Sequence, residues 1–186
     1  EAAYVGEMVR AEMVTRYGED AYTGGYRVTT TIIPRLQRAA NAALRQALDE
    51  YDERHGYRGP EQQLEVSLWQ DPQRRSEFLQ KLGNIGELRP AVVTGFPDEK
   101  SVEITLADNS RAIIGWEGLG WARRYRSADW QGQRPRKASD VLNHGDLIRV
   151  LVVPSEYGNY LRLAQVPKAQ GALVSVKPGT GEVVAL

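Results

Sequence analysis

The chain has no cysteine and only two histidines, His55 and His144, among its 186 residues. Disulfide bonds and thiolate metal ligands are therefore excluded, and two isolated histidines do not favour a zinc or redox centre. We expect no cofactor and no metal ion. No apolar run reaches the roughly 20 residues that cross a bilayer, and no segment has the features of a signal peptide.

The chain also lacks an excess of charge of either sign. Its 24 basic and 24 acidic side chains cancel to a formal net charge of zero. A neutral chain has no overall attraction for nucleic acid or for an anionic membrane. Because 41% of the residues are hydrophobic, there is enough apolar material for a packed core in one large domain or two small ones.

Helical periodicity predicts three helices. Apolar residues at a spacing near 3.6 place the first before Gly18, and the second carries leucines and alanines along one face. The third begins with Asp71 as N-cap and Pro72 at the first helical position, with Leu82 pointing inward. Between the first two, the β-branched run from Val28 to Ile32 predicts a strand. The three helices are expected at Val5 to Tyr17, about Pro34 to Arg54, and Pro72 to Leu82.

Five β-prone segments follow, separated mostly by Gly, Pro, Asp and Asn turns. One long interruption, residues 117 to 145, divides the third from the fourth, as in a partly open five-stranded OB barrel. We therefore predict an α+β, mainly β fold. It comprises a five-stranded OB-like barrel with flanking helices, and a small linker subdomain of a strand, a long helix and a C-terminal β-hairpin. The five strands are expected at 91–96, 101–106, 111–116, 147–153 and 160–164.

The C-terminal segment contains two β-prone runs around Pro178-Gly179-Thr180-Gly181, which predicts a β-hairpin. It resembles the hairpin that opens the transpeptidase domain of class A penicillin-binding proteins, the bifunctional enzymes that polymerise and cross-link bacterial peptidoglycan. The segment from Tyr26 to Ile32, followed by Pro34 to Ala40, is similar to that family's strand and "LQ-x-AA" helix. Most of the chain separates these motifs, which resembles the 1A type, where an additional OB-like domain lies at this point.

The resemblance implies three parts. Residues 1–58 form a linker region of amphipathic helices and a strand, residues 59–167 the inserted OB-like domain, and residues 168–186 the first hairpin of the transpeptidase domain. It also implies a periplasmic location, in a parent protein that an upstream helix anchors in the bacterial inner membrane. Two positions depart from the family pattern, since Ile33 and Lys177 stand where Asp is usual.

The chain lacks the motifs of the family's chemistry. Transpeptidation needs a Ser with Lys three positions later and a Lys-Thr-Gly element, and the chain contains neither. The nearest match, Ser175-Val176-Lys177, has the wrong spacing. We expect the glycosyltransferase half upstream of residue 1. This chain is therefore expected to have no catalytic residues, although the parent that it resembles is a peptidoglycan glycosyltransferase and DD-transpeptidase.

One segment has the composition of a binding site. Between residues 121 and 137 there are six basic residues and one acidic residue, a local charge of +5 in a neutral chain. Arginines bind carboxylates bidentately, and aromatic rings stack on flat ligands. The alternative is that the aromatics pack the end of the barrel and the arginines face water. The candidate partner- or glycan-binding residues are Trp121, Arg123, Arg124, Tyr125, Arg126, Trp130, Arg134, Arg136 and Lys137.

Two further features have structural interpretations. The acidic cluster Asp49, Glu50, Asp52 and Glu53 is expected to be a solvated helix face rather than a metal site. Gly118, in the glycine-rich stretch after the third strand, permits close backbone approach without requiring a ligand.

Three functions stay open. The resemblance favours a non-catalytic regulatory module of a peptidoglycan synthase, acting in cell-wall synthesis and cell shape, that contacts an outer-membrane lipoprotein activator. The alternative is a glycan-binding OB module that recognises peptidoglycan through the aromatic and arginine-rich segment. Nucleic-acid binding, which other OB folds perform, is disfavoured by the neutral net charge.

Overall fold

The computed structural model describes residues 2–186, which form two compact units. The first comprises residues up to Asp49 together with Ala169–Leu186, and the second comprises Glu50–Lys168. No helix in the described part of the chain is long and apolar enough to span a membrane. The helices are α1 (Ala3–Tyr17), α2 (Asp20–Thr23), α3 (Pro34–His55), α4 (Val66–Trp69), α5 (Pro72–Leu82) and α6 (Trp116–Leu119). The strands are β1 (Gln62–Gln63), β2 (Arg89–Gly95), β3 (Val102–Leu106), β4 (Arg111–Ile114), β5 (Tyr125–Ser127), β6 (Trp130–Gln131), β7 (Asp146–Val153), β8 (Tyr160–Ala164), β9 (Ser175–Val176) and β10 (Val183–Ala185).

The three predicted helices are confirmed as α1, α3 and α5. Helix α1 ends where the Gly18 amide donates to the Val14 carbonyl at 2.8 Å. At the start of α5, the Asp71 carboxylate accepts hydrogen bonds from the Gln73 and Arg74 amides at 2.9 and 3.1 Å, so the predicted cap is present. Leu82, expected to point inward, is exposed at the last position of α5, whereas Leu79 three residues earlier is buried.

The C-terminal hairpin of the first unit is confirmed. Strands β9 and β10 pair antiparallel, and the Lys177 amide donates to the Glu182 carbonyl at 2.8 Å to close the turn. The Gln37 side chain of α3 fixes the final residue from both sides. Its carboxamide oxygen accepts from the Leu186 amide at 2.9 Å, and its nitrogen donates to the Leu186 carbonyl at 2.5 Å.

The predicted strand from Val28 to Ile32 is wrong. This segment is connected to β10 by the Thr31 hydroxyl, which donates to the Val183 carbonyl at 2.6 Å, and by the Ile33 amide, which donates to the Val184 carbonyl at 3.0 Å. A strand needs a ladder of backbone bonds to a neighbour, and β propensity alone does not supply one.

The second unit is built on an antiparallel sheet. The order β1-β7-β2-β3-β4, with β8 also paired to β7, contains all five predicted strands and adds β1 as a sixth. Strands β4 and β8 lie next to each other, but no backbone ladder joins them in the described chain. The five predicted strands are therefore present with a short sixth, in an antiparallel sheet that has no ladder between β4 and β8 in the described chain.

Both faces of the central strands are buried. On β2, Ala91 and Val93 enter the main core with Ile104, while Val92 between them enters a second cluster with Leu79 of α5. This alternation follows from the two-residue period of a strand. Because both faces are covered, the strands appear in the sequence as nearly continuous apolar runs.

A charged residue is also buried within this sheet. Arg149 on β7 is only 2% exposed, and its guanidinium donates to the Glu61 carboxylate at 2.9 Å and to the Gly83 carbonyl at 2.6 Å. Buried charges need such partners because desolvation otherwise costs several kcal/mol. The pair ties β7 to the segment before β1 and to the end of α5.

The start of α3 gives a first prediction. The Ile33 carbonyl accepts the Gln37 amide at 3.0 Å, which makes Ile33 the N-cap, and its side chain has no oxygen for the orphan amides. We expect Ile33→Asp to raise the free energy of unfolding by about 0.5–2 kcal/mol. Urea denaturation, with Ile33→Ala as the control for loss of the side chain, measures the gain. An Asp variant no more stable than the Ala variant would contradict it.

Gly118 on α6 gives a second prediction. A methyl group at this position would overlap the Leu161 carbonyl oxygen of β8 and lie 2.9 Å from Cγ2 of Ile114. Because backbone must then move, we expect Gly118→Ala to lower stability by about 1–3 kcal/mol. The matched control is Gly6→Ala on α1, where nothing lies within 4 Å and a gain of about 0.5–1 kcal/mol is expected. Equal effects in thermal melts would refute the close packing of α6.

Candidate functional site

The basic segment from residue 121 to residue 137 folds into a two-stranded hairpin. Strands β5 and β6 pair antiparallel across the turn at Ala128 and Asp129, with Ser127 opposite Trp130. The Gly132 amide donates to the Arg124 carbonyl at 2.7 Å, and Nε of Arg123 donates to the Gly132 carbonyl at 2.9 Å. We call residues 123–137 the basic hairpin.

The basic hairpin is attached to the backbone of Tyr57. The Tyr57 amide donates to the Arg123 carbonyl at 2.7 Å, and the Tyr125 amide donates to the Tyr57 carbonyl at 2.8 Å. Gly56, before it, has φ of +98°, and a Cβ there would lie 2.6 Å from the Arg123 carbonyl oxygen. Both the left-handed conformation and the close approach require glycine.

Side chains that are buried or partly buried hold the backbone on either side of Tyr57 in place. The Arg58 guanidinium pairs bidentately with the Asp52 carboxylate at 2.9 and 2.6 Å and donates to the Val166 carbonyl at 2.6 Å. Gln165 donates to the Gly56 carbonyl and accepts from the Arg58 amide, both at 3.0 Å. The expected solvated acidic face is therefore wrong for Asp52, which is buried against a cation six residues away. We call this set the junction clamp.

Asp140 holds the C-terminal end of the basic hairpin in place. Its carboxylate accepts from the Arg136 and Lys137 amides at 2.8 and 3.1 Å, and these bonds lower the pKa of Asp140. The Lys100 ammonium donates to the Arg136 carbonyl and lies 4.0 Å from the Trp116 ring centroid. Lys100 is a cation at the site that sequence reasoning missed, because it lies far away along the chain.

The structure separates the nine candidate residues into two groups. Trp121 is a packing residue, since its indole donates to the Leu163 carbonyl at 3.1 Å and its ring meets Tyr57 edge-on at 6.0 Å. Arg123 is committed to the Gly132 carbonyl. The other seven side chains face solvent together: Arg124, Tyr125, Arg126, Trp130, Arg134, Arg136 and Lys137.

The exposed group combines charge with one large ring. Trp130 is 66% exposed at the tip of the hairpin. Within residues 2–186, no ion pair joins Arg124, Arg126, Arg134, Arg136 or Lys137 to an acidic side chain. No three His, Asp or Glu side chains converge as possible metal ligands in that same part of the chain. The arrangement can bind an acidic, partly apolar surface.

Comparison with known proteins identifies the family to which the second unit belongs. The family model described as the penicillin-binding protein OB-like domain matches residues 57–169. The chain belongs to this family. The resemblance found from the sequence motifs is thereby confirmed, and the fold is a mixed α/β structure that contains an OB-like domain.

Relatives of the OB-like domain match over the whole chain. It is 45% identical to penicillin-binding protein 1A of Escherichia coli, with 100% of this chain and 21% of the relative covered. Identity is 41% to penicillin-binding protein 1A of Pseudomonas aeruginosa, with 100% and 22% covered. The 2.6 Å crystal structure of penicillin-binding protein 1A from Haemophilus influenzae superposes with a TM-score of 0.77 at 33% identity, covering 100% of this chain and 25% of that one. The chain thus spans about a fifth of the length of these curated relatives and is the OB-like domain region of a class A penicillin-binding protein.

Asp146, at the start of β7, gives a third prediction for the OB-like domain. It is 1% exposed, its Oδ2 accepts from the Asn143 amide at 2.7 Å, and Oδ1 has no partner among the described residues. Burial raises the pKa of Asp146 above its ordinary 3.8, against the opposing effect of that bond. The folded state therefore binds this proton more tightly than the unfolded state does, and its contribution to stability falls as pH rises through the raised pKa.

We expect the wild type to gain stability relative to Asp146→Asn as pH is lowered from neutral toward 3.8. The amide of the variant keeps an acceptor for Asn143 but cannot titrate, which makes it the matched control. Urea denaturation at a series of pH values measures the difference. Free energies of unfolding that run parallel in the two proteins would show that the buried carboxyl does not control this range.

Proposed function

We propose that this chain is a non-catalytic regulatory and docking segment of a peptidoglycan synthase of the 1A type. Its parent is a peptidoglycan glycosyltransferase and DD-transpeptidase that is anchored in the inner membrane, and the segment acts in the periplasm. The OB-like sheet, a partly open barrel in this proposal, supports the basic hairpin. The hairpin contacts an outer-membrane lipoprotein activator.

The observation that carries the proposal is the cationic hairpin itself. Five exposed basic side chains and the exposed Trp130 lie within one short segment of a chain of zero net charge. Tyr57 holds the backbone at the start of the basic hairpin, and Asp140 holds it at the end. Binding therefore costs little conformational entropy for ordering this backbone. An exposed aromatic ring within a charged rim is the composition of a protein-binding hot spot.

A glycan ligand is the second candidate, and the exposed ring of Trp130 favours it. Stacking on a neutral sugar depends little on salt, whereas attraction between arginines and an acidic protein surface weakens as ionic strength rises. The unpaired arginines make up most of the exposed group, so we place the protein partner first. Nucleic acid is a less favoured ligand because the net charge of the chain is zero.

The fourth prediction tests the docking site. Purified outer-membrane lipoproteins from the same bacterium are screened for binding to the 186-residue chain by biolayer interferometry. Arg126→Glu combined with Arg134→Glu is expected to slow association about tenfold at low salt and less at high salt, because charges outside the core act by steering. Trp130→Ala is expected to raise the dissociation rate with little salt dependence.

The matched control is Lys81→Glu combined with Lys168→Glu, which changes the net charge equally at two exposed positions outside residues 123–137. It should leave association unchanged, and thermal melts should show that all variants fold. Lipoprotein binding that survives both hairpin variants would move the interface to another surface. Binding to isolated peptidoglycan that Trp130→Ala abolishes, without lipoprotein binding, would replace the protein partner with the glycan.

A further inference from the structure

A polar pocket lies next to the two ends of the basic hairpin. Its volume is about 310 Å³, and three segments of the OB-like domain line it: residues 57–60, Ala122 with Arg124, and residues 139–143. This volume is at the small end of the roughly 300–1,000 Å³ that is usual for ligand pockets. The pocket therefore fits one polar side chain or a small molecule better than an extended segment of polymer.

The backbone of all three segments is held in place. Tyr57, in the first segment, is bonded through its amide and carbonyl to the basic hairpin. In the second, the Ala122 amide donates to the Leu119 carbonyl at 2.9 Å. In the third, the Asn143 amide donates to the buried Asp146 carboxylate at 2.7 Å. Because the pocket is formed in advance, a ligand loses little affinity to ordering of the protein.

Three charged side chains line the pocket, and two of them already have partners. The Arg58 guanidinium is paired with Asp52, and the Asp140 carboxylate accepts from two backbone amides. The third, Arg124, is exposed, and its side chain makes no ion pair or hydrogen bond with another described residue. A guanidinium binds a carboxylate bidentately. Asp140 in the same pocket would repel a doubly charged phosphate more strongly than a carboxylate.

Neutral hydrogen-bond donors complete the site. Tyr57 is only 4% exposed, and its hydroxyl has no partner in residues 2–186, although buried tyrosines usually have one. Burial, together with the charges of Asp146 and Glu61, raises the pKa of this hydroxyl, so it keeps its proton and can donate to an anion. The exposed side chains of Ser139 and Asn143 are further donors that the described chain does not use.

We propose that this pocket binds a carboxylate, carried by an aspartate or glutamate side chain of the protein that docks on the basic hairpin. Arg124 forms the bidentate pair, and Tyr57, Ser139 and Asn143 donate further hydrogen bonds. The other basic side chains of the hairpin steer the partner, and the pocket anchors it. The identity of the partner rests on the proposed function, whereas the preference of the pocket for a carboxylate does not.

Two small probes test the pocket without a partner protein. N-acetyl-glutamate N-methylamide carries one carboxylate, and N-acetyl-glutamine N-methylamide has a neutral amide of the same shape in its place. Each is titrated into the isotope-labelled 186-residue chain at about 0.15 M salt, and the NMR shifts of the Gly59 and Asn143 amides are followed. We expect the glutamate probe to bind saturably with a Kd of about 1–10 mM, and the glutamine probe to bind about tenfold more weakly.

Variants of the pocket assign the contacts. Arg124→Gln is expected to weaken binding of the glutamate probe about tenfold, and Tyr57→Phe, which keeps the ring, about threefold. The matched control is Arg126→Gln, which removes the same charge from the same hairpin at a residue that does not line the pocket. It should leave the affinity unchanged, and amide spectra should show that all variants fold.

Three results would each overturn the proposal. The first is equal binding of the two probes to the wild type, which needs no variant. The second is equal weakening by Arg124→Gln and Arg126→Gln, since the charge would then act without a pocket. The third is tighter binding of inorganic phosphate than of the glutamate probe at the same amides, since the pocket would then be a general anion site.

Lipoprotein binding separates this proposal from the docking function. If the pocket is the anchor, Arg124→Gln raises the dissociation rate of the lipoprotein about tenfold, whereas Arg126→Gln mainly slows association. An unchanged dissociation rate in Arg124→Gln would refute the anchor and leave the docking function standing. Probe binding that depends on Arg124, in a chain to which no lipoprotein binds, would refute the docking function and support the carboxylate pocket.

Discussion

The largely buried ion pair between Asp52 and Arg58 is the constraint on which the candidate site depends. A carboxylate that is largely removed from water needs a charged partner, and here the Arg58 guanidinium binds it bidentately, with the Val166 carbonyl as a further acceptor. Because Tyr57 directly precedes Arg58, the same pair fixes the backbone to which Arg123 and Tyr125 bond. The ion pair between Asp52 and Arg58 thus fixes the position of the exposed basic hairpin.

The parts of the fold that the sequence predicted are those with local causes. Asp71 followed by Pro72 specifies a helix start within three residues, and the apolar runs of β2 and β7 identify strands covered on both faces. The family motifs, although they lie mostly outside the OB-like domain, identified the family correctly. The composition of the basic segment located the candidate site, but its hairpin was not predicted.

The parts that were missed have distant causes. Val28 to Ile32 has strand composition but no ladder, whereas the short, polar β1 exists because it pairs with β7, far along the chain. The short strands β5 and β6 pair with each other, and their polar composition gave no strand signal. The burial of Arg149 was not predicted, because its partners Glu61 and Gly83 lie far along the chain. Trp121 and Arg123 were grouped with the binding residues because spacing alone does not distinguish a ring that packs on Tyr57 from one that faces water.

The junction clamp also has a mechanical consequence. Gly56 and Arg58 bond directly to Gln165 and Val166, so the points where the chain enters and leaves the OB-like sheet are adjacent. If the chain were pulled from both ends, the force would pass from one of these points to the other through the hydrogen bonds of the junction clamp. The hydrogen bonds between β2, β3 and β7 would not carry it. The sheet would bear force only after the Arg58 contacts had broken. The module can therefore keep its fold, and the orientation of its cationic surface, while the polypeptide on either side of it is under strain.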